Sequence, residues 1–159
     1  MKKILIAVDG SEGSLRAVDY VGRQFSGMED LRITLLHVLP YVPTSFWDDG
    51  HILTKEERQV RKEVVDIWLR NQQLKLEPIF RPAKDALLRR GIRDEQIDTK
   101  GISDSADVAG SILEEVADGG YQTLVLGRRG LSPAKRLLMG SVTSKIIDHG
   151  AGNAVCIVE

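Results

Sequence analysis

The stretch that decides the fold reads TLVLGRRG over residues 123–130, and GSVTS follows at residues 140–144. Aliphatic residues lead directly into a glycine, and Val142, Ile146 and Ile147 recur on one helical face after the second segment. A strand that enters a glycine loop and then a helix start aims several unpaired backbone N–H groups at one spot. Such a spot attracts an anion.

The residue types of this segment suit a polyphosphate. Gly127, Gly130 and Gly140 are expected to allow positive φ angles or the close approach of a ligand. Hydroxyl and basic residues surround them: Ser141, Thr143, Ser144, Arg128, Arg129, Lys135 and Arg136. The same spacing is also typical of a glycine-rich turn before an ordinary capped helix, and the pattern alone leaves both interpretations open.

Length and composition limit the class of protein. A chain of 159 residues with 42% hydrophobic but only 5% aromatic content suits one domain, residues 1–159, with an aliphatic α/β core. The formal charge of -1 gives no global electrostatic reason to expect nucleic acid or an anionic membrane as a partner. Cys156 has no second cysteine with which to pair, which favours a reducing compartment.

No segment of the sequence suggests a membrane span. The first apolar run, residues 4–8, is followed at once by Asp9 and Gly10, and no other segment approaches the roughly 18 apolar residues of a spanning helix. We therefore expect a soluble, cytoplasmic protein.

Hydrophobic periodicity predicts alternating strands and helices. Strands are predicted at residues 3–8, 31–39, 96–101, 123–126 and 154–158. Helices are predicted at residues 12–25, 55–74, 104–119 and 140–149. The second helix is expected to kink or break near Pro78 and to restart, continuing to about Arg90. The order βαβαβαβαβ predicts an α/β fold, a doubly wound parallel sheet with helices on both faces. Its ligand site is expected at the carboxyl ends of the strands, where the winding reverses.

Local signals refine this prediction. Ser11 is a predicted N-cap of the first helix, Asp104 a predicted N-cap with Asp107 as its partner, and Gly91 a predicted helix stop. The helix at 55–74 carries its apolar residues on one face, and Trp68 is expected in the core. That face comprises Val60, Val64, Ile67, Asn71 and Leu74.

Two polar residues at strand ends are candidates for ligand contact. Asp9, beside the flexible Gly10, could accept two hydrogen bonds from ribose hydroxyls, or could simply cap the first helix. His37 lies within an aliphatic strand, which is more typical of a hydrogen-bonded core residue than of a base. No spacing of His, Cys, Asp or Glu resembles a protein metal site, so any metal is expected as Mg²⁺ bridging phosphates.

Three motifs together resemble the universal stress protein family: the pattern Gly127-x2-Gly130-x9-Gly140-Ser141, the N-terminal ILIAVDGS at 4–11, and LHV at 36–38. They cover nearly the whole chain in the family's order. The resemblance implies a five-stranded parallel sheet of order 3-2-1-4-5 and a homodimer. In members that retain the glycine motif, it also implies ATP at the carboxyl edge.

The resemblance also implies site residues. Asp9 matches the acidic residue that contacts the sugar, while Ala7 and Val38, with Val8 beside them, match neighbours of the adenine. The loop around the phosphates matches Gly127, Arg128, Gly130, Gly140, Ser141, Val142 and Thr143. Arg128 departs from the small hydroxyl residue of many relatives, and both a phosphate contact and a solvent position stay open for it. Pro78 and Pro82 interrupt a helix that relatives usually keep whole.

Three functions remain open at this point. The first is a regulatory homodimer in the stress response that holds ATP and hydrolyses it slowly or not at all. The second is a slow ATPase or phosphoryl-transfer enzyme, although the Lys-Ser/Thr ending of a Walker loop is missing. The third is an interaction dimer without nucleotide.

Because Val155 and Ile157 lie on a terminal strand, pairing with another copy is expected at that edge. Phe46 and Trp47, in the predicted loop at 40–53, could pack beneath it, cover the adenine or meet a second subunit.

Overall fold

The computed structural model describes residues 1–40, 53–128, 139–150 and 152–159. Its strands are β1 (Lys2–Ala7), β2 (Leu31–Pro40), β3 (Ile97–Ser105), β4 (Thr123–Gly127) and β5 (Ala154–Val158). Its helices are α1 (Glu12–Phe25), α2 (Lys55–Leu74), α3 (Leu76–Arg89), α4 (Val108–Gly119) and α5 (Ser141–His149). A short 3-10 helix, Asp94–Gln96, precedes β3.

The strands form one parallel sheet of order β3-β2-β1-β4-β5, as predicted. Because side chains alternate along a strand, β1 sends Ile4 and Ile6 to one face and Leu5 to the other. Residues of α1 and α3 cover the first face, and residues of α4 and α5 cover the second. Both faces of the central strand are therefore buried, which explains its continuous aliphatic run.

The predicted helix signals hold with one correction. Ser11 is the N-cap of α1, and its hydroxyl accepts a hydrogen bond from the Ser14 N–H. Gly91 follows α3 with a φ of 88°. The N-cap of α4, however, is Asp107 and not Asp104, because β3 continues to Ser105, four residues beyond the predicted end. The Asp107 side chain accepts from the Gly110 N–H.

The interruption predicted near Pro78 occurs between Leu74 and Leu76. A proline has no N–H for the carbonyl four residues earlier, and its ring collides with that carbonyl. For Pro78 this carbonyl belongs to Leu74, which is the last residue of α2. The break therefore lies where the proline removes its hydrogen bond, whereas Pro82 is accommodated inside α3.

The apolar face predicted on α2 does not enter the core. Val60, Val64, Ile67 and Leu74 are exposed, and Trp68, which was expected in the core, is half-buried. The buried residues of α2 are instead Val65 and Gln72, which lie on a different side of the helix. The predictions for Phe46 and Trp47 fall outside the described residues.

The winding reverses between β1 and β4. From β1 the chain proceeds outward to β2 and β3, then returns to β4 on the other side of β1 before reaching β5. The connections that leave β1 and β4 therefore diverge, and a crevice forms at the carboxyl ends of these two strands. Asp9 follows β1 there, and Gly127 is the last residue of β4.

Candidate functional site

A cavity of about 260 Å³ opens at this reversal point. It brings the end of β1 together with the end of β4 and the first turn of α5, which both lie more than a hundred residues later in the sequence. The residues expected from the sequence that line it are Ala7, Val8, Asp9, Val38, Gly127, Gly140, Ser141, Val142 and Thr143. Asp9 and Ser141 thus face one space.

Asp9 is held by the turn that starts α1. Its Oδ1 accepts hydrogen bonds from the Ser11 N–H at 3.0 Å and from the Ser11 hydroxyl at 2.5 Å. The N-cap itself is Ser11, so Asp9 orients the cap instead of acting as one. Gly10 makes this turn possible because its φ is 81°, a conformation that L side chains rarely adopt. The turn therefore fixes a carboxylate at the edge of the cavity.

Gly127 is a glycine for a reason that the sequence did not reveal. We expected a positive φ or room for a ligand, yet Gly127 does not belong to the positive-φ glycines among the described residues. A Cβ at this position would lie 2.5 Å from the carbonyl carbon of Gly13 and 2.8 Å from the Ser14 nitrogen. The absence of a side chain lets the start of α1 pack directly on the end of β4 and close that wall of the cavity.

The first turn of α5 forms the opposite wall. Gly140 is its N-cap with φ -60°, so the expected positive φ is not found here either. Gly140 supplies no capping side chain, and unpaired N–H groups at the start of a helix attract an anion. The Thr143 hydroxyl donates to the Gly127 carbonyl at 3.2 Å. Thr143 therefore ties α5 to β4, a structural role besides the expected contact with phosphate.

Several lining residues were not among the expected site residues. His37 lies in the wall, and its Nδ1 is 2.7 Å from the Val8 carbonyl oxygen, so Nδ1 carries the proton. The others are Ser14, Leu36, Val108, Ile112 and Leu126. A signal for His37 existed, because it lies at the carboxyl end of a strand beside β1. The apolar residues looked like ordinary core, because Leu36 on β2, Leu126 on β4 and Ile112 on α4 belong both to the core and to the cavity wall.

Arg128 does not line the cavity with the other expected residues. Its guanidinium forms an ion pair with the Glu159 carboxylate, and its N–H donates to the Val158 carbonyl at 2.7 Å. The side chain therefore joins the end of β4 to the end of β5. Gly130, Arg129, Lys135 and Arg136 lie outside the described residues.

An ion pair links the two helices that flank the cavity. Lys145 on α5 donates to the Asp107 carboxylate at the start of α4, with Nζ 2.6 Å from Oδ2. This hydrogen bond, followed by the one from the Gly110 N–H, holds the pKa of Asp107 below its usual 3.8. The charged pair therefore helps to set the distance between the two helix ends.

In the described parts of the chain, the His, Cys, Asp and Glu side chains form no group of three that could hold a metal ion. Likewise, none of the described helices has the length and apolar character needed to cross a bilayer.

The whole chain resembles known proteins. The model of the universal stress protein family matches residues 1–155. The universal stress protein YxiE of Bacillus subtilis (strain 168) is 27% identical over 157 residues, which cover 91% of this chain and 90% of that protein.

Solved structures share the fold. Hypothetical protein MJ0577 superposes with a TM-score of 0.67 at 24% identity, over 99% of this chain and 94% of that chain. A universal stress protein solved in complex with cAMP gives 0.63 at 23% identity, over 99% and 96%. Because the family model matches residues 1–155 of the 159 in this chain, the chain belongs to the universal stress protein family.

Proposed function

We propose that this protein binds an adenine nucleotide in the cavity between β1, β4 and α5, with the sugar at Asp9 and the phosphates at the start of α5. The observation that carries the proposal is that Asp9 and Ser141 line one cavity. A fixed carboxylate accepts hydrogen bonds from ribose hydroxyls, and a helix N-terminus attracts phosphate. The two halves of a nucleotide need those two chemistries side by side.

The base would lie against the apolar part of the wall. Leu36, Val38 and Ile112 provide an aliphatic surface on which a flat purine ring can stack. The Nδ1–H of His37 is committed to the Val8 carbonyl, so in the neutral ring Nε2 remains an acceptor. An acceptor suits the exocyclic amino group of adenine and not the carbonyl oxygen of guanine.

The size of the cavity suits the nucleoside half of the ligand. Its volume of about 260 Å³ is close to the roughly 300 Å³ lower end for ligand pockets. The triphosphate would therefore extend past Ser141 and Val142, out of the mouth. Mg²⁺ would be held by the phosphates, where it neutralises their charge.

ATP is the nucleotide that we propose, and regulation is the role. A universal stress protein with the same fold was solved in complex with cAMP, which supports an adenine ligand. Among the described lining residues Asp9 is the one carboxylate, and its Oδ1 already accepts two hydrogen bonds from Ser11. A site of this kind lacks a well-placed general base, so we expect slow hydrolysis at most. We also propose a homodimer through the β5 edge.

Calorimetric titration with ATP, AMP and GTP tests the proposal. We expect ATP to bind with a micromolar dissociation constant, about 8 kcal/mol, and GTP to bind more weakly. Gly140→Val should abolish binding because the added side chain occupies the mouth of the cavity. Ala154→Val, at an exposed position of β5 outside the cavity, is the control and should bind ATP normally. Full ATP binding by a folded Gly140→Val variant would refute the site.

Two measurements separate the alternative functions. Native mass spectrometry of freshly purified protein should detect a bound adenine nucleotide, whereas a nucleotide-free interaction dimer would carry none even after ATP is added. Phosphate release from ATP over time measures turnover. Sustained multiple turnovers would favour the enzyme over the regulatory module.

A further inference from the structure

Helix α2 carries an exposed apolar row that the described residues of its own chain do not cover. Val60, Val64, Ile67 and Leu74 are 60%, 42%, 56% and 74% exposed, and Asn71 is exposed between the last two. Their spacing alternates between four and three residues, as the a and d positions of a coiled coil do. Val64 and Asn71 take a positions and the others take d positions. We call these five residues the α2 seam.

The α2 seam is distinct from the face that anchors the helix. The anchoring residues Val65 and Gln72 are buried, and they lie roughly 130° around the helix from Val60. One apolar stripe is enough to hold a surface helix on its domain. A second stripe with heptad spacing therefore needs a different explanation.

The charges beside the seam identify its occupant. Glu63 and Arg70 are both exposed and both take g positions. They lie about 10 Å apart along one helix, too far to pair with each other. In an antiparallel pair of helices, g positions face g positions, so Glu63 lies opposite Arg70 of a second copy when Val64 lies opposite Ile67 of that copy. Twofold symmetry then forms the same ion pair twice.

A parallel pair would separate the two charges. In a parallel pair, g positions face e positions of the second copy, so Glu63 lies opposite Trp68 and the ion pair with Arg70 does not form.

We propose that α2 is a self-association surface, through which two copies of this chain join by an antiparallel pairing of their α2 seams. The surface is independent of the nucleotide cavity and separate from the β5 edge. If both surfaces operate, α2 pairing joins dimers into larger assemblies. Because the seam is only about two heptads long, the interface is small and the affinity is expected to be micromolar.

Sedimentation equilibrium over a range of protein concentrations tests the association. The wild type should gain mass as concentration rises, and Ile67→Lys should lose that step because a charge enters the centre of the seam. Asp66→Lys adds the same side chain on the same helix but outside the seam, so it should associate like the wild type. Equal association of the wild type and Ile67→Lys would overturn the proposal.

Charge reversal tests the antiparallel alignment. Glu63→Arg alone and Arg70→Glu alone should each weaken association about tenfold, because two symmetric attractions become repulsions. The double variant Glu63→Arg/Arg70→Glu should restore wild-type association. Failure of the double variant to recover would overturn the alignment.

Thermal unfolding of the same variants detects a cover from within the chain. If a segment of the same chain covered the seam, Ile67→Lys would lower the melting temperature of the dilute protein without changing its mass. We expect instead an unchanged melting temperature at low concentration. A lower melting temperature of dilute Ile67→Lys with no change in mass would overturn the proposal.

Discussion

At the scale of single residues, the shape of the site depends on Gly127, which has no Cβ. A Cβ at Gly127 would meet the Gly13 carbonyl carbon at 2.5 Å, so the contact between the end of β4 and the start of α1 requires glycine. The space beside Gly127 that was expected to admit a ligand is thus filled by the backbone of Gly13 and Ser14. The same contact positions Ser11, and through it the carboxylate of Asp9.

We predict that Gly127→Ala lowers the free energy of unfolding by about 1–3 kcal/mol, because the added methyl overpacks a backbone contact. ATP affinity should fall as well, since the start of α1 must shift. Gly27→Ala provides the control: its Cβ meets nothing within 4 Å, but its φ is 86°. That variant should lose stability through backbone strain alone and keep ATP affinity, as denaturant unfolding and calorimetry can show. Normal stability of Gly127→Ala would refute the packing argument.

At the scale of elements, the helix ends around the cavity are held by polar contacts. Asp107 caps α4 and accepts from Lys145 on α5, which keeps the pKa of Asp107 below 3.8. A lowered pKa in the fold means that the carboxylate stabilises the folded state above its unfolded pKa. That contribution is lost as the pH falls below 3.8 and through the folded pKa.

We therefore predict that Asp107→Asn lowers thermal stability at neutral pH and that the difference from the wild type shrinks as the pH falls below about 3.8. Asparagine can still cap the helix, so the variant isolates the ion pair. Differential scanning calorimetry across this pH range makes the comparison. A difference that stays constant with pH would contradict the role of the carboxylate charge.

Elements also show what the sequence could and could not predict. Most boundaries followed from aliphatic runs and capping residues, because local periodicity reflects burial. The strand order 3-2-1-4-5 came instead from the resemblance to the universal stress protein family. The prediction failed at α2, where an apolar face at helical spacing proved exposed, since periodicity cannot distinguish a buried apolar face from an exposed one. It also placed the cap at Asp104 because nothing in residues 102–105 marks the end of an edge strand.

At the scale of the whole molecule, β5 is an edge strand: among the described strands, its one neighbour is β4. The Ala154 N–H and the Val158 carbonyl bond towards β4, so the backbone groups of Val155 and Ile157 face outward. An aliphatic edge with outward N–H groups favours pairing with the same strand of another copy. This geometry supports the proposed homodimer.

We predict that Ile157→Pro converts the dimer to a monomer without unfolding it, because proline removes an outward N–H and spares the bonds to β4. Cys156→Pro, one residue earlier, removes an inward N–H and should lower stability instead. Light scattering after size-exclusion chromatography, together with circular dichroism, distinguishes the two effects. A folded Ile157→Pro variant that stays dimeric would refute pairing at this edge.

The same scale explains why the site was only partly predictable. Asp9 and the glycine segment were identified because each follows a strand at the winding reversal. His37 was considered but interpreted as a hydrogen-bonded core residue. Leu36 and Ile112 were not identified, because their place in the wall depends on how β2 and α4 meet in three dimensions. A residue that is both core and cavity wall carries no distinct signal in one sequence.

The central claim is that Asp9 holds the sugar of a nucleotide whose phosphates lie at the start of α5, and a thermodynamic cycle tests it directly. Calorimetry would compare ATP with 2′-deoxyATP on the wild type and on Asp9→Asn. We predict that removing the ribose hydroxyl weakens binding to the wild type about tenfold, that Asp9→Asn weakens ATP binding by a similar factor, and that the two changes together cost little more than either alone. Fully additive losses, or wild-type ATP affinity in Asp9→Asn, would contradict the account.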